Sequence, residues 1–244
     1  MKGSWLKAMI VSLVLVSALI FSTFFGDIVS LITGIRCYGV PEFLITAFLV
    51  SPLLLGVVRF FWRETDDINS TVGDAFCYFS SKRLYLRAVT AFFALFLRVF
   101  VIVFVCLVPY MILNILTSVD FYSLLGVRAP GGVFPAEYFT KWFRILGVAA
   151  SIPLLTNYLL APAIIVANDS ISVNEAFKLS RRVSVGKLGY YLTFLLSFAG
   201  WLLLSVLAFP IIFTLPYFLA SYCVFSRFVI TNNNLMAEHQ TVGF

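Results

Sequence analysis

LGYYLTFLLSFAGWLLLSVLAFPIIFTLPYFLASYCVFSRFVI, residues 188–230, runs for 43 residues with one charged side chain, Arg227, near its end. As a single helix it would be about 65 Å long, roughly twice the hydrocarbon thickness of a bilayer, so it has to fold back. Phe209-Pro210 stands near its middle, and proline cannot continue a helical hydrogen-bond ladder. The run therefore predicts a hairpin of two spans, 188–209 and 211–230.

The rest of the chain has the same character. Of 244 residues, 61% are hydrophobic and 11% charged, Phe alone accounts for 27, and the mean hydropathy is +1.02. Soluble domains carry about 25% charged residues. A soluble enzyme, a disordered chain and a disulfide-rich secreted domain are excluded, which leaves an all-α polytopic membrane protein. Further apolar runs at 8–25, 43–61, 88–116 and 146–166 bring the predicted total to six spans in one integral domain, 1–244. The first run follows Lys2 and Lys7, as a signal peptide would, but its 18 residues exceed the usual h-region of about 7–15. It is read as an uncleaved span.

Basic residues set the predicted orientation. With the N-terminus inside, the inner segments hold 12 of the 17 Lys and Arg, among them Arg59, Arg63, Lys82, Arg83, Arg87 and Arg227; the outer loops hold Arg36, Arg128, Lys141 and Arg144. This positive-inside bias places both termini in the cytoplasm. It also accounts for the net charge of +6 without nucleic-acid binding, for which no basic stretch interleaved with aromatics is available. Cys37, Cys77, Cys106 and Cys223 are scattered, without the spacing of a disulfide framework or zinc site.

An internal repeat holds an offset of 101 residues: Pro52-Leu53-Leu54 matches Pro153-Leu154-Leu155, and Thr71-Val72-Gly73-Asp74-Ala75-Phe76 matches Ser172-Val173-Asn174-Glu175-Ala176-Phe177. The second element of each copy is a capping box, in which a hydroxyl and an acid three residues on satisfy each other's backbone N–H. Helices should start at Val72 and Val173. The second carries Val173, Ala176, Phe177 and Ser180 on one stripe, with Lys178, Arg181, Arg182 and Lys187 further along. It reads as a basic amphipathic helix on the inner surface, in contact with anionic lipid headgroups; the alternative is a capped, solvated linker. The two copies run in the same direction, whereas many transporters use inverted repeats.

Three stretches resemble a known family. They are the opening Met1-Lys2-Gly3-Ser4-Trp5-Leu6-Lys7-Ala8, the block from Ala161-Pro162-Ala163 through Asn168-Asp169 into Ala176-Phe177-Lys178-Leu179-Ser180-Arg181, and the close at Gly200-Trp201-Leu202 and Leu215-Pro216-Tyr217. Together they resemble the bacterial integral membrane proteins grouped as domain of unknown function nine-seven-five. The resemblance implies a multi-pass fold in the bacterial cytoplasmic membrane and carries no activity or catalytic residues. The segment 117–140, with Pro130-Gly131-Gly132, and the Arg98-bearing third run depart from the pattern.

Arg98, Asn157 and Tyr158 are the candidate intramembrane polar site. Arg98 is the one ionisable residue well inside a run, and intramembrane charges mark function by default. In the competing reading Arg98 snorkels to the inner interface, which Arg83 and Arg87 on roughly the same helical side favour. Asn157 and Tyr158 could line a path or hydrogen-bond between helices. Pro52, Pro109, Pro153, Pro162 and Pro216 are read as kinks, and Asp66-Asp67 as a solvated turn. His239 stands alone. No nucleophile with a base and no cluster of metal ligands is visible, so neither an enzyme nor a cofactor is expected. The sequence points to a non-enzymatic membrane component that contacts lipid, a membrane-protein partner or a second copy. A small permease is the alternative.

Overall fold

The computed structural model describes residues 5–34, 39–66, 70–117, 136–201 and 211–232. The Phe209-Pro210 turn, Cys37, most of the 117–140 segment and His239 lie outside them. Every regular element among the described residues is helical. In chain order these are α1 (Trp5–Thr33), α2 (Val40–Ile45), a π-turn (Thr46–Val50), α3 (Ser51–Glu64), a 3-10 helix (Val72–Phe79), α4 (Lys82–Thr117), α5 (Ala136–Thr156), α6 (Ala161–Ala167), α7 (Val173–Ser184), α8 (Leu188–Ser197) and α9 (Ile211–Thr231).

Among the described residues, five helical stretches are long and apolar enough to cross a membrane: Trp5–Thr33, Val40–Glu64, Lys82–Leu116, Thr140–Ala167 and Ile211–Thr231. The predicted span at 188–209 is described only as far as residue 201, and its remainder lies outside the described residues. Its helix α8 has ten residues and tightens at its end, where the Phe198 N–H donates to the Leu195 carbonyl at 3.1 Å, before helix resumes at 199–201. The third predicted span is among the five, and its helix α4 starts earlier and runs unbroken through Arg98 for 36 residues. That is about 54 Å of helix, well beyond an upright crossing.

Two crossing stretches are broken beside proline, and in both the freed carbonyls find partners. Pro52 lacks the N–H that would reach the Phe48 carbonyl, so the chain widens into the π-turn; the Tyr85 hydroxyl takes that carbonyl at 3.0 Å. In the other stretch, residues 157–160 form a turn between α5 and α6. The Ser180 hydroxyl donates to the Asn157 carbonyl and the Tyr222 hydroxyl to the Leu159 carbonyl, both at 2.7 Å. Irregular backbone within apolar helices persists only when protein satisfies it in this way.

The core gathers around α3, whose Val57, Phe60 and Phe61 are fully buried, together with Leu160–Val166, Tyr78, Ala88, Ala91 and Cys223. The buried residues of α4 are Ala88, Val89 and Ala91, all before Arg98; beyond it Phe100, Val101, Phe104 and Val105 are exposed. Tight packing is thus concentrated near the ends of α3 and α6.

Candidate functional site at the basic end of the bundle

Helices α3 and α6 finish close together, and each end leaves carbonyls without helical partners. An arginine from another helix fills each end. Arg87, on α4, places Nη2 at 3.1, 2.7 and 2.9 Å from the carbonyls of Ile165, Asn168 and Ile171, and Nη1 at 2.8 Å from that of Asp169. Its charge meets the Asp169 carboxylate at 3.3 Å, and Arg59 on α3 meets the same carboxylate at 3.3 Å. Arg227, on α9, donates to the carbonyls of Trp62 and Thr65 at 2.9 and 3.3 Å, pairs with Asp66, and lies 4.7 Å from the Trp62 ring centroid. Asp66 is exposed in a turn, as expected, and is also the counter-charge of an arginine that closes α3.

The capping boxes lie just beyond these ends. Ser172 N–H donates to the Glu175 carboxylate at 3.0 Å, and Glu175 N–H returns to the Ser172 hydroxyl at 3.3 Å. Thr71 N–H donates to the Asp74 carboxylate at 2.7 Å, and Arg63 holds the other Asp74 oxygen at 2.5 Å. Tyr78, on the 3-10 helix, is fully buried, and burial pushes its phenol up to about 12.

Arg98 and Tyr158 are brought together, while Asn157 contributes its backbone carbonyl to Ser180. The Arg98 guanidinium folds back toward the start of α4, donating to the Ala94 carbonyl at 2.7 Å and to Asn174 Oδ1 at 3.2 Å. It lies 4.3 Å from the Phe177 ring centroid and 6.0 Å from that of Tyr158, the range of a cation–π contact. Helix α7 buries Ala176, Phe177, Ser180, Val183 and Ser184, and exposes Lys178, Arg181 and Arg182. Those three take no part in the ion pairs found among the described residues, which involve Arg59, Arg63, Arg87 and Arg227. Lys187 caps the start of α8 and is half-buried.

Sequence reasoning missed Asp169 as a hub. Asp66 and Asp169 each stand two residues past a helix end, but at an offset of 103, which an ungapped comparison at 101 passes over. It also missed Glu42, whose carboxylate packs where a Cβ on Gly26 would sit, 1.6 Å from Oε1. An acid opening an apolar run was the available signal.

The described residues form an all-helical structure with several helices long and apolar enough to cross a membrane, the features of a membrane protein. No family model matches the chain, and neither does any curated protein or solved structure.

Proposed function

We propose that this chain is a non-enzymatic multi-pass component of the bacterial cytoplasmic membrane whose basic end holds anionic lipid headgroups. The observation that carries this reading is the division of labour among cations. Asp66, Asp74 and Asp169 are engaged by Arg63, Arg87, Arg59 and Arg227. Lys178, Arg181 and Arg182 are left exposed on a helix whose other face is buried. An anionic leaflet is the complementary surface, worth about 1 kcal/mol per basic residue close to it. The positive-inside bias directs this end, and both termini, toward the cytoplasm. The three resembling stretches favour the same family and location.

The permease alternative asks for Arg98 on a hydrated path, but its guanidinium is occupied by Ala94, Asn174 and the Phe177 ring. That geometry favours a packed, back-folded arginine. The test is the anionic lipid fraction around the protein extracted in polymer nanodiscs. Arg181→Glu with Arg182→Glu should lower the enrichment at least fivefold, with Arg144→Glu on α5 as the control. Equal enrichment in all three proteins would overturn the reading.

A further inference from the structure

A cavity of about 780 Å³ runs between α8 and α9, and one of its ends reaches the arginine-closed end of α3. One wall is a straight stripe of α9: Tyr217, Ala220, Ser221, Val224, Phe225 and Phe228. Their spacing of i, i+3, i+4, i+7, i+8 and i+11 keeps them on one helix face. The facing wall is Phe194, Ser197 and Phe198. Small residues on facing helices ordinarily let backbones close together. Here Ser197 of α8 and Ala220 and Ser221 of α9 line the same space, and rings bridge the two helices. Phe194 stacks on Phe225 at 4.6 Å between centroids, and Phe198 meets Tyr217 at 5.5 Å. These contacts hold the walls in place before anything enters. The Ser197 hydroxyl is turned onto the Phe194 carbonyl at 2.6 Å, so it makes its hydrogen bond within the helix.

From Tyr217 to Phe228 the stripe rises about 16.5 Å, close to the roughly 15 Å of one hydrocarbon leaflet. The end near Phe228 is polar, where Trp5, Glu64 and Thr65 complete the lining, beside the Asp66–Arg227 pair. The long sides are rimmed by exposed apolar residues, Val224 and Phe228 among them. An apolar slot one leaflet deep, with a polar mouth at the basic end and a tryptophan at the level where interfacial rings settle, matches a lipid.

We propose that this slot seats one acyl chain of a single phospholipid from the leaflet at the basic end, its headgroup at the Trp5–Glu64–Thr65 mouth. The inference rests on the membrane reading and not on the basic helix α7. It is therefore tested with phosphatidylethanolamine, whose zwitterionic headgroup makes retention independent of the charges on α7. Full-length protein purified in mild detergent is exchanged into that lipid and weighed by native mass spectrometry. The unmodified protein should retain one phospholipid, and Ala220→Phe with Ser221→Phe should lower retention at least tenfold. Val148→Phe on the exposed face of α5 should leave it unchanged. In the unmodified protein, a phosphatidylethanolamine carrying a photoactivatable group in its chain should cross-link within 217–228, which keeps the test sharp if the filled variant misfolds. Equal retention in filled and unfilled proteins, no retained lipid, or a filled slot that only breaks a dimer would each overturn the proposal. Loss of anionic enrichment in the α7 variants would not touch it.

Discussion

The turn at Thr71 and the turn at Ser172 start from the same sequence pattern and wind differently. At Ser172 the carbonyl receives the N–H of Ala176 at 3.0 Å, an i→i+4 bond, and α7 continues for 12 residues. At Thr71 the carbonyl receives the N–H of Asp74 at 2.9 Å, an i→i+3 bond, and eight residues follow as a 3-10 helix. Runs of 3-10 that long are uncommon because their hydrogen-bond geometry is poorer, so something outside the segment holds it. Asp74 is drawn toward Arg63, and the Ala75 carbonyl packs into the space left by Gly56. A capping box starts a helix; the surface it lands on sets the pitch.

The largest test of this contrast is Gly56→Ala. A Cβ there would lie 1.8 Å from the Ala75 carbonyl oxygen, a backbone atom that moves only with the whole 3-10 helix. We expect a loss of about 3–5 kcal/mol in detergent unfolding, against about 0.5 or less for Gly189→Ala, where no atom lies within 4 Å. Comparable losses would mean that the first turn does not depend on its close approach to α3.

The arginines that close the two helix ends should come next, and unequally. Arg87 has 11% of its side chain exposed and faces four carbonyls, whereas Arg227 has 27% exposed and faces two. Arg87→Met should cost about 2–4 kcal/mol because it leaves buried acceptors unpaired, and Arg227→Met about half of that. A reversed order would show that the α3 end, not the α6 end, is the critical one.

Alkaline pH should single out the first copy. Tyr78 titrates near 10 when unfolded and near 12 in the fold, so the native state keeps a proton that the unfolded chain has released. Stability present below pH 10 is therefore lost between about pH 10 and pH 12, at about 1.4 kcal/mol per pH unit. Tyr78→Phe should flatten the unfolding profile across that window; an unchanged slope would assign the alkaline loss to other groups.

The smallest difference concerns the caps. Ser172→Ala removes the acceptor of the Glu175 N–H and should cost about 1 kcal/mol. Thr71→Ala should cost less than about 0.5 kcal/mol, because the Asp74 N–H already has the Thr71 carbonyl. Equal losses would show that the two boxes work alike despite their different pitch.

Much of this architecture was legible in particular residues. Hydrophobic runs located the crossing stretches, because burying 20 apolar residues in a row is a one-dimensional property of the chain. The boxes marked Val72 and Val173, whereas Pro52 and Pro162, read as kinks, stand at the first turns of new helices. What the sequence left unread was of a different kind. The partners of Asp66 and Asp169, Arg227 and Arg87, lie 161 and 82 residues away.

By itself the sequence determined the class and the caps, which follow from hydropathy and from backbone groups within a few residues of one another. The tertiary structure decided which helix becomes 3-10 and which arginine closes which end. It also decided whether Arg98 faces lipid or packs on Phe177, and which rings bridge α8 and α9. Those outcomes depend on which surfaces meet between residues 11 to 165 apart in the chain, where a shift of about 1 Å changes a hydrogen-bond partner.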